Sequence, residues 1–564
     1  MNPVARQVTY DIVIIGGGGA GAQAALSITG HSGDVTVAVV DKGMFGKAGC
    51  TILGEFSCNA ALPYKGSKDS PLIHFTDTVR EGKYINDQRL VEIYTEKAPE
   101  RVEELQRLGP VFEEEDGKIK QDMVPGHSFP RAAYNNLHTG KSMMTTLKRE
   151  VLKRDIDVFE ECVIFQLLGD NQVCGALGYD MKSGCFIHFV CKAVIITTGG
   201  CGQLYKNSTN AQGTTGDGLA LAYNAGAELQ DMEFVQFFPT AQCYPRLLKL
   251  NPCFPSMLRY KGGCRLYNNE GTEFMKEKMV DWRFKATRDV ISKAIYTEIK
   301  EGRGSPHGGV FMDVLHLSED DIVETFSFAH MFENLLKMGI DLRKDSIETT
   351  VSAHFLMGGI KVNEHFSTCV DGLFAAGEAI AGIHGANRLP GNALSEILVT
   401  GHEAGLHAVE YVKTCKGCKR GKIDIEWILQ LMERKNGKSP VALKKKIQEI
   451  MWEYVGVIRD GPGLKRALKG FENIKCDLET MSVSTKTLIW NKELVDALEA
   501  GFMYTVAVLI ANAADYRLES RGSHFRSDYP ETDKNWLVNI ILEKGEIKTR
   551  NPRVTRIDME GLHG

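Results

Sequence analysis

The sequence predicts an α/β fold, and three observations carry that prediction. The apolar run from Ile12 opens into glycines at a G-x-G-x-x-G spacing, Gly16, Gly18 and Gly21. A small-residue stretch that suits a helix follows, and a second apolar run, VTVAVV, ends at Asp41 with Lys42 beside it. Strand, glycine turn, helix, strand and acid in that order form a βαβ dinucleotide site. Without Cβ atoms the glycines let backbone approach a pyrophosphate, whose charge sits on the positive end of the helix starting near Gly19. Asp41 is placed to accept hydrogen bonds from a ribose.

Composition sets the frame around that unit. A chain of 564 residues is longer than one ordinary domain, so two to four domains and a large core are expected. A net charge of -5 with no basic stripe argues against nucleic-acid binding. The stretch MNPVARQVTYD runs into the first strand without the apolar segment of a secretory signal, and no run of eighteen apolar residues occurs. A cytoplasmic protein without a direct membrane span is the expectation, peripheral to a membrane only through partner subunits. Fourteen scattered cysteines read as reduced thiols. The one C-x-x-C, Cys415 and Cys418, lies in a lysine-rich stretch with no second pair nearby, so no metal or iron-sulfur site is expected in this chain.

After the second strand, GKAGCTILGEFSCNAAL passes close to the nucleotide. Residues 70 to 160 read as mainly helical, with apolar positions three and four apart in LVEIYTEKAPERVEELQRLG. Residues 163 to 200 read as a β-meander with turns at Gly169-Asp170 and Lys182-Ser183-Gly184, ending in the buried strand AVIITTGG. From about 236 to 345 the texture changes to cysteine, proline and aromatic residues, as in an inserted cap. At Gly372 to Ala379, GLFAAGEA, the chain returns to a strand followed by glycine and acid, and beyond about 420 it reads as helical.

Together IVIIGGGGAG, TGKSMMTTL, AVIITTGG, TNAQGTTGDGLALAYNAGAELQDMEFVQF, TRDVISKAIYTEIKEGRG, HFLMGGI, GLFAAGEA, HGANRLPGNALSEILVTG and ESRGSHFRSDYP resemble the flavoprotein subunit of succinate dehydrogenase and fumarate reductase, a family that includes L-aspartate oxidase. The resemblance runs in the same order from about residue 10 to 530. It implies a Rossmann-like FAD-binding domain (1–237 and 346–415), an inserted α+β capping domain (238–345), a C-terminal helical domain (416–530) and a tail (531–564). It implies FAD as cofactor, with Gly16, Gly18 and Gly21 at the pyrophosphate, Asp41 and Lys42 near the ribose, and Thr198, Gly199, Gly200 and Asp217 along the cofactor. Glu378, Ala393 and Leu394 fall near the ribityl chain and ring.

The implied chemistry is two-electron transfer between flavin and a carbon next to a carboxylate, with a proton exchanged at the neighbouring carbon. Fixed cations then stabilise the developing charge. Arg288 matches the family's catalytic arginine, and His354 and Arg388 match residues that clamp a substrate carboxylate. An iron-sulfur protein or a soluble electron donor is implied as partner. The chain also departs from the family. GKAGCT lacks the histidine that tethers FAD covalently, so non-covalent FAD is expected. Phe238, in Gln236-Phe237-Phe238-Pro239-Thr240, replaces a histidine that holds the second carboxylate of a C4 dicarboxylate. Ser256 keeps a hydroxyl, but Met257 and Tyr260 replace a glutamate and an arginine of the proton relay, and Glu55-Phe56 stand where a glycine pair is usual. Arg259 or Lys261 turning inward is one way to restore the relay. The substrate is therefore either fumarate and succinate or a non-dicarboxylate enoate. A third expectation is an electron-transferring subunit with a degenerate site.

Overall fold

A parallel sheet carries the fold, with strands in the order Leu373–Ala375, Ala193–Ile196, Ile12–Ile15, Val37–Asp41 and Asp157–Glu160. The computed structural model describes residues 4–64, 66–136, 138–169, 172–244, 263–282, 286–327, 331–415, 421 and 423–557. Ile12–Ile15 and Ala193–Ile196 are apolar throughout because elements cover both faces of the sheet. One covering layer pairs the helix Gly19–His31 with Asn392–Thr414. A Cβ at Gly401 would strike Ala20 O and one at Gly405 would strike Ala24 O, so the two glycines, one helical turn apart, set the close approach of these helices.

The expected meander forms a second sheet, Val4–Thr9, Cys185–Val190, Gly175–Asp180 and Cys162–Leu168. A third, antiparallel sheet joins Val235–Tyr244, Ile347–Leu356, Val310–Asp313 and Arg265–Tyr267. The helix Arg288–Lys300 lies on it, tied by Ser292 Oγ donating to Phe237 O at 3.0 Å. A short helix, Glu426–Glu433, and three longer ones follow up to Tyr516 among the described residues. The last, Lys492–Tyr516, is long and apolar enough to cross a membrane, but 72% of its apolar window is buried within the protein, as befits a core helix.

Two expectations are corrected. Residues 70 to 160, expected to be mainly helical, hold three helices among the described residues but are interrupted: after Gln88–Leu108 the chain forms short strands at Glu114–Glu115, Lys118–Ile119, Gln121–Asp122 and Ala132–Ala133 before the helix Thr139–Leu152. The helical period ends at Gly109 and Pro110, and the polar stretch beyond pairs with itself and with Cys58–Asn59. The segment 531–557 is not a loose tail. Asn539–Glu543 and Glu546–Arg550 form a hairpin whose first strand pairs with Leu229–Gln230, and Ile540, Ile541 and Leu542 are buried.

Candidate active site

Two cavities meet at Cys50, Thr51, Glu378 and Ile397. The first, of about 350 Å³, is lined by Gly16, Gly18, Asp41, Lys42, Thr198, Gly199 and Asp217 among others. Gly18 precedes the helix Gly19–His31, and among the described residues the space on its Cβ side holds only Thr51 Oγ1 at 3.6 Å. Gly199, with φ +75°, has nothing within 4 Å there. These two positions leave a cradle of bare backbone. Gly21 and Gly200 act differently. A Cβ at Gly21 would collide with Gly16 O, and one at Gly200 with Glu378 Oε1, so both permit packing and neither lines this cavity.

Asp41 accepts from Gly17 N at 2.6 Å and Gly43 N at 2.7 Å, which aims the buried carboxylate across the turn. Lys42 is already engaged, with Nζ 2.6 Å from Asp217 Oδ2, 3.0 Å from Glu499 Oε1 and 2.7 Å from Thr215 Oγ1. Lys42 and Asp217 thus neutralise each other at the cavity wall. Thr198 Oγ1 is buried there and has no hydrogen-bond partner among the described residues. A glycine cradle at a helix N-terminus, a carboxylate at the strand end and an unmatched hydroxyl fit FAD.

The second cavity, of about 210 Å³, gathers Phe238 and His354 from the third sheet (the cap sheet), Arg288 from the helix lying on it, Glu378 from the turn Gly377–Ala379, Arg388 from the loop before Asn392–Thr414, and Ala393 and Leu394 from the first turn of that helix. Arg288 and Arg388 converge on one acceptor, Gln236 Oε1, each at 3.1 Å. The Arg388 guanidinium also covers the Phe355 ring at 4.3 Å, and burial pulls it down to about 10 despite Glu378, Glu396 and Tyr94. Among the described residues no carboxylate forms an ion pair with Arg388, and its Nε is buried without a partner. His354 Nδ1 sits 2.7 Å from Thr209 Oγ1. Burial, then Arg288 and Arg388, hold His354 well below the usual histidine range, so the ring is neutral.

Phe238 is wedged between these groups, 5.1 Å from the His354 ring and under the Arg288 guanidinium at 5.1 Å. Leu53, Phe56, Val124 and Ile397 extend that apolar wall. Within it stands Glu55, whose carboxyl burial raises well above the ordinary range. Glu378, between the cavities, accepts from Leu356 N at 3.1 Å; burial raises it to about 8, with Arg388 pulling the other way. Ser256, Met257, Arg259, Tyr260, Lys261 and Cys418 lie outside the described residues.

The structure therefore brings Arg288, His354, Arg388 and Phe238 into one cavity and sets Gly16, Gly18, Asp41, Lys42, Thr198, Gly199 and Asp217 around the other. Sequence reasoning gave no role to Gln236, Thr209 or Asn387. Gln236 stands in the Q-F-F-P-T stretch, and an amide two residues from Phe238 on one strand face was the available signal.

Residues 11–394 match the family described as FAD binding domain, and residues 444–561 match that described as fumarate reductase flavoprotein C-term. The chain is 38% identical over 539 residues to a fumarate reductase (CoM/CoB) subunit of Methanothermobacter marburgensis, covering 95% of this chain and 97% of that one. It is 32% identical to the succinate dehydrogenase flavoprotein subunit of Rickettsia bellii, over 94% and 92% of the two chains. Among solved structures, the Mycobacterium smegmatis Sdh1 complex in the apo form superposes with a TM-score of 0.87 at 33% identity, covering 99% of this chain and 98% of that one.

Proposed function

The chain belongs to the family of fumarate reductase and succinate dehydrogenase flavoprotein subunits and is an FAD-dependent oxidoreductase acting on CH–CH bonds; we propose that its substrate is fumarate, or succinate in the reverse direction, held chiefly by one carboxylate. The observation that carries this reading is the convergence of Arg288, Arg388 and His354 in a cavity that adjoins the glycine-lined one. FAD, when bound, supplies the two-electron donor or acceptor. Arg388 offers a forked pair of N–H groups that match a carboxylate. Neutral His354 serves as a donor through Nε2–H when Nδ1 accepts from the Thr209 hydroxyl. Arg288, fixed through Gln236, holds the proton that the substrate carbon takes up, and its positive charge stabilises the negative charge that grows on the substrate. Phe238, Phe56 and Val124 exclude water from the reacting end.

FAD is held non-covalently in this reading. Cys50, at the junction of the cavities, bonds Thr214 Oγ1 at 3.2 Å, and burial pushes its thiol up to about 11, so it supplies no thiolate to attack a flavin. An iron-sulfur protein or a soluble donor completes the electron path; the M. marburgensis relative is named as one subunit of its enzyme, with CoM/CoB in the name. The free thiols Cys50, Cys369 and Cys476 accord with a reducing, cytoplasmic setting.

One observation favours a second reading. Phe238 and its apolar neighbours occupy the wall where a second carboxylate would be held, which suits an enoate with an uncharged end. The two readings part on anaerobic reoxidation of the reduced flavin, followed by absorbance with fumarate and with cinnamate and crotonate. Fast reoxidation by fumarate, slowed by roughly 10²–10⁴-fold in Arg288→Ala, is expected. Reoxidation by the monocarboxylates alone would replace fumarate as substrate, and none by any would leave an electron-transferring role.

A further inference from the structure

The two cavity arginines hang on a buried chain of amides whose orientation admits one solution. Asn387 Nδ2 donates to Glu81 Oε1 at 2.6 Å and to Asp289 Oδ1 at 3.0 Å. Turning that amide over would place its oxygen against two carboxylate oxygens. Its Oδ1 therefore faces Gln236, whose Nε2 donates to it at 2.9 Å and to Arg388 O at 3.0 Å. Gln236 Oε1 is left for Arg288 Nη1 and Arg388 Nη2. Turning Gln236 over would bring an NH₂ group against two guanidiniums, with donors on both sides. Gln236 and Asn387 are each 1% exposed, and neither lines the cavity, so they act on a substrate only through the arginines.

Resting on the reading of Arg288 and Arg388 given above, we infer that Asn387, braced by Glu81 and Asp289, is a positioning residue that orients the Gln236 amide and thereby sets the spacing and aim of both arginines. The chain crosses the molecule. Gln236 and Arg288 belong to the cap sheet and its helix, Asn387 and Arg388 to the loop before Asn392, and Glu81 to the end of the helix Pro71–Glu81. A neutral amide joins the two like charges without itself neutralising either. A carboxylate at the same place would take their attraction for itself.

The test uses the full chain loaded with FAD and two probes without an oxidisable CH–CH bond, malonate and benzoate, whose binding is read from the flavin spectrum. Asn387→Leu removes all three bonds at similar volume and is expected to weaken binding of at least one probe about tenfold, a loss near 1.4 kcal/mol. Gln236→Leu is expected to weaken it at least as much, and the double variant no more than Gln236→Leu alone, because both act through one chain. Gln236→Glu separates positioning from mere structure: one carboxylate oxygen pairs with both guanidiniums while the other loses the bonds to Asn387 Oδ1 and Arg388 O, so probe binding is expected to fall at least tenfold with FAD still retained. Where Asn387→Leu fails to retain FAD, Asn387→Asp keeps the shape and the Gln236 contact, loses the donor to Glu81 and Asp289, and is expected to weaken binding in the same direction. Binding within twofold of wild type in Asn387→Leu or Asn387→Asp, or additive losses in the double variant, would overturn the inference. A wild-type chain that binds a probe but reduces no enoate removes the proposed reaction and leaves this chain of amides to be judged on binding; one that binds neither probe removes both.

Discussion

Two arginine clusters in this protein are treated in opposite ways. Arg517, fully buried, donates to Glu233 Oε1 at 2.6 Å and Glu519 Oε1 at 2.9 Å, with Trp536 O and Val538 O taking its remaining bonds. Arg521 forks onto Glu519 at 2.7 and 3.0 Å, and Arg526 forks onto Asp528 at 2.8 Å through both nitrogens. Burial pulls Arg517 down, but Glu233, Asp231 and Glu519 more than offset it and its pKa is raised. Arg388, buried to 4% exposure, meets a neutral amide instead, and its pKa falls to about 10. The difference separates charge used to hold the C-terminal segment in place from charge that the proposed function assigns to a ligand.

Removing each arginine tests that division most sharply. Arg517→Met leaves the fully buried Glu233 without its cation and Glu519 with Arg521 alone, and a loss of about 3–5 kcal/mol in denaturant unfolding is expected. Arg388→Met removes a buried guanidinium that no carboxylate pairs with among the described residues, so stability should change by less than about 1 kcal/mol or rise. Carboxylate binding should follow the reverse order, lost in Arg388→Met and kept in Arg517→Met. A large stability loss in Arg388→Met would erase the distinction.

The same contrast explains what could be read from the sequence. The βαβ unit is local: Ile12–Ile15, the glycines and Asp41 lie within thirty residues of one another, and each residue type has one physical use there. Arg288, His354 and Arg388 were reachable because each sits in a distinctive stretch. The amide chain was not, since Gln236 and Asn387 are 151 positions apart and meet only through the registers of a sheet edge and a loop. The Arg517 cluster stayed hidden for a similar reason: Arg517, two residues before ESRGSHFRSD, shows no partner in the sequence until Glu233 is brought against it from 284 positions away. The hairpin beyond Asn539 depends on a partner strand of two residues, Leu229–Gln230, which carries no periodic signal.

A smaller effect probes the apolar wall beside the site. Phe238 touches both Arg288 and His354, and Phe238→His places a hydrogen-bond donor where a second carboxylate would lie. A charge-assisted bond there is worth about 1.5–3 kcal/mol, so the ratio of kcat/KM for fumarate over crotonate should rise roughly ten- to a hundredfold. An unchanged ratio would mean that the substrate's far end does not reach residue 238.

The smallest effect expected is in pH, where the two clusters should differ in sign. Asp528 is held at about 2 by its bonds to Arg526, below the ordinary value of 3.8, so it contributes stability above about pH 4 that is lost as pH falls through 2. Its side chain is 32% exposed, and solvent screening limits the contribution to about 1 kcal/mol or less. Asp528→Asn should therefore unfold more easily than wild type at pH 6 and equally easily near pH 2. Glu378 moves the other way. Burial raises it from 4.5 to about 8, so folding holds its proton, and stability is lost between those values with a slope of up to about 1.4 kcal/mol per pH unit. Glu378→Gln should flatten that slope in urea unfolding of the FAD-free chain from pH 5 to 8, while Asp528→Asn leaves it unaltered. If Glu378→Gln left the slope intact, the cavity carboxyl would be ionised when buried, and the contrast between charge spent on structure and charge held for a ligand would not extend beyond the arginines.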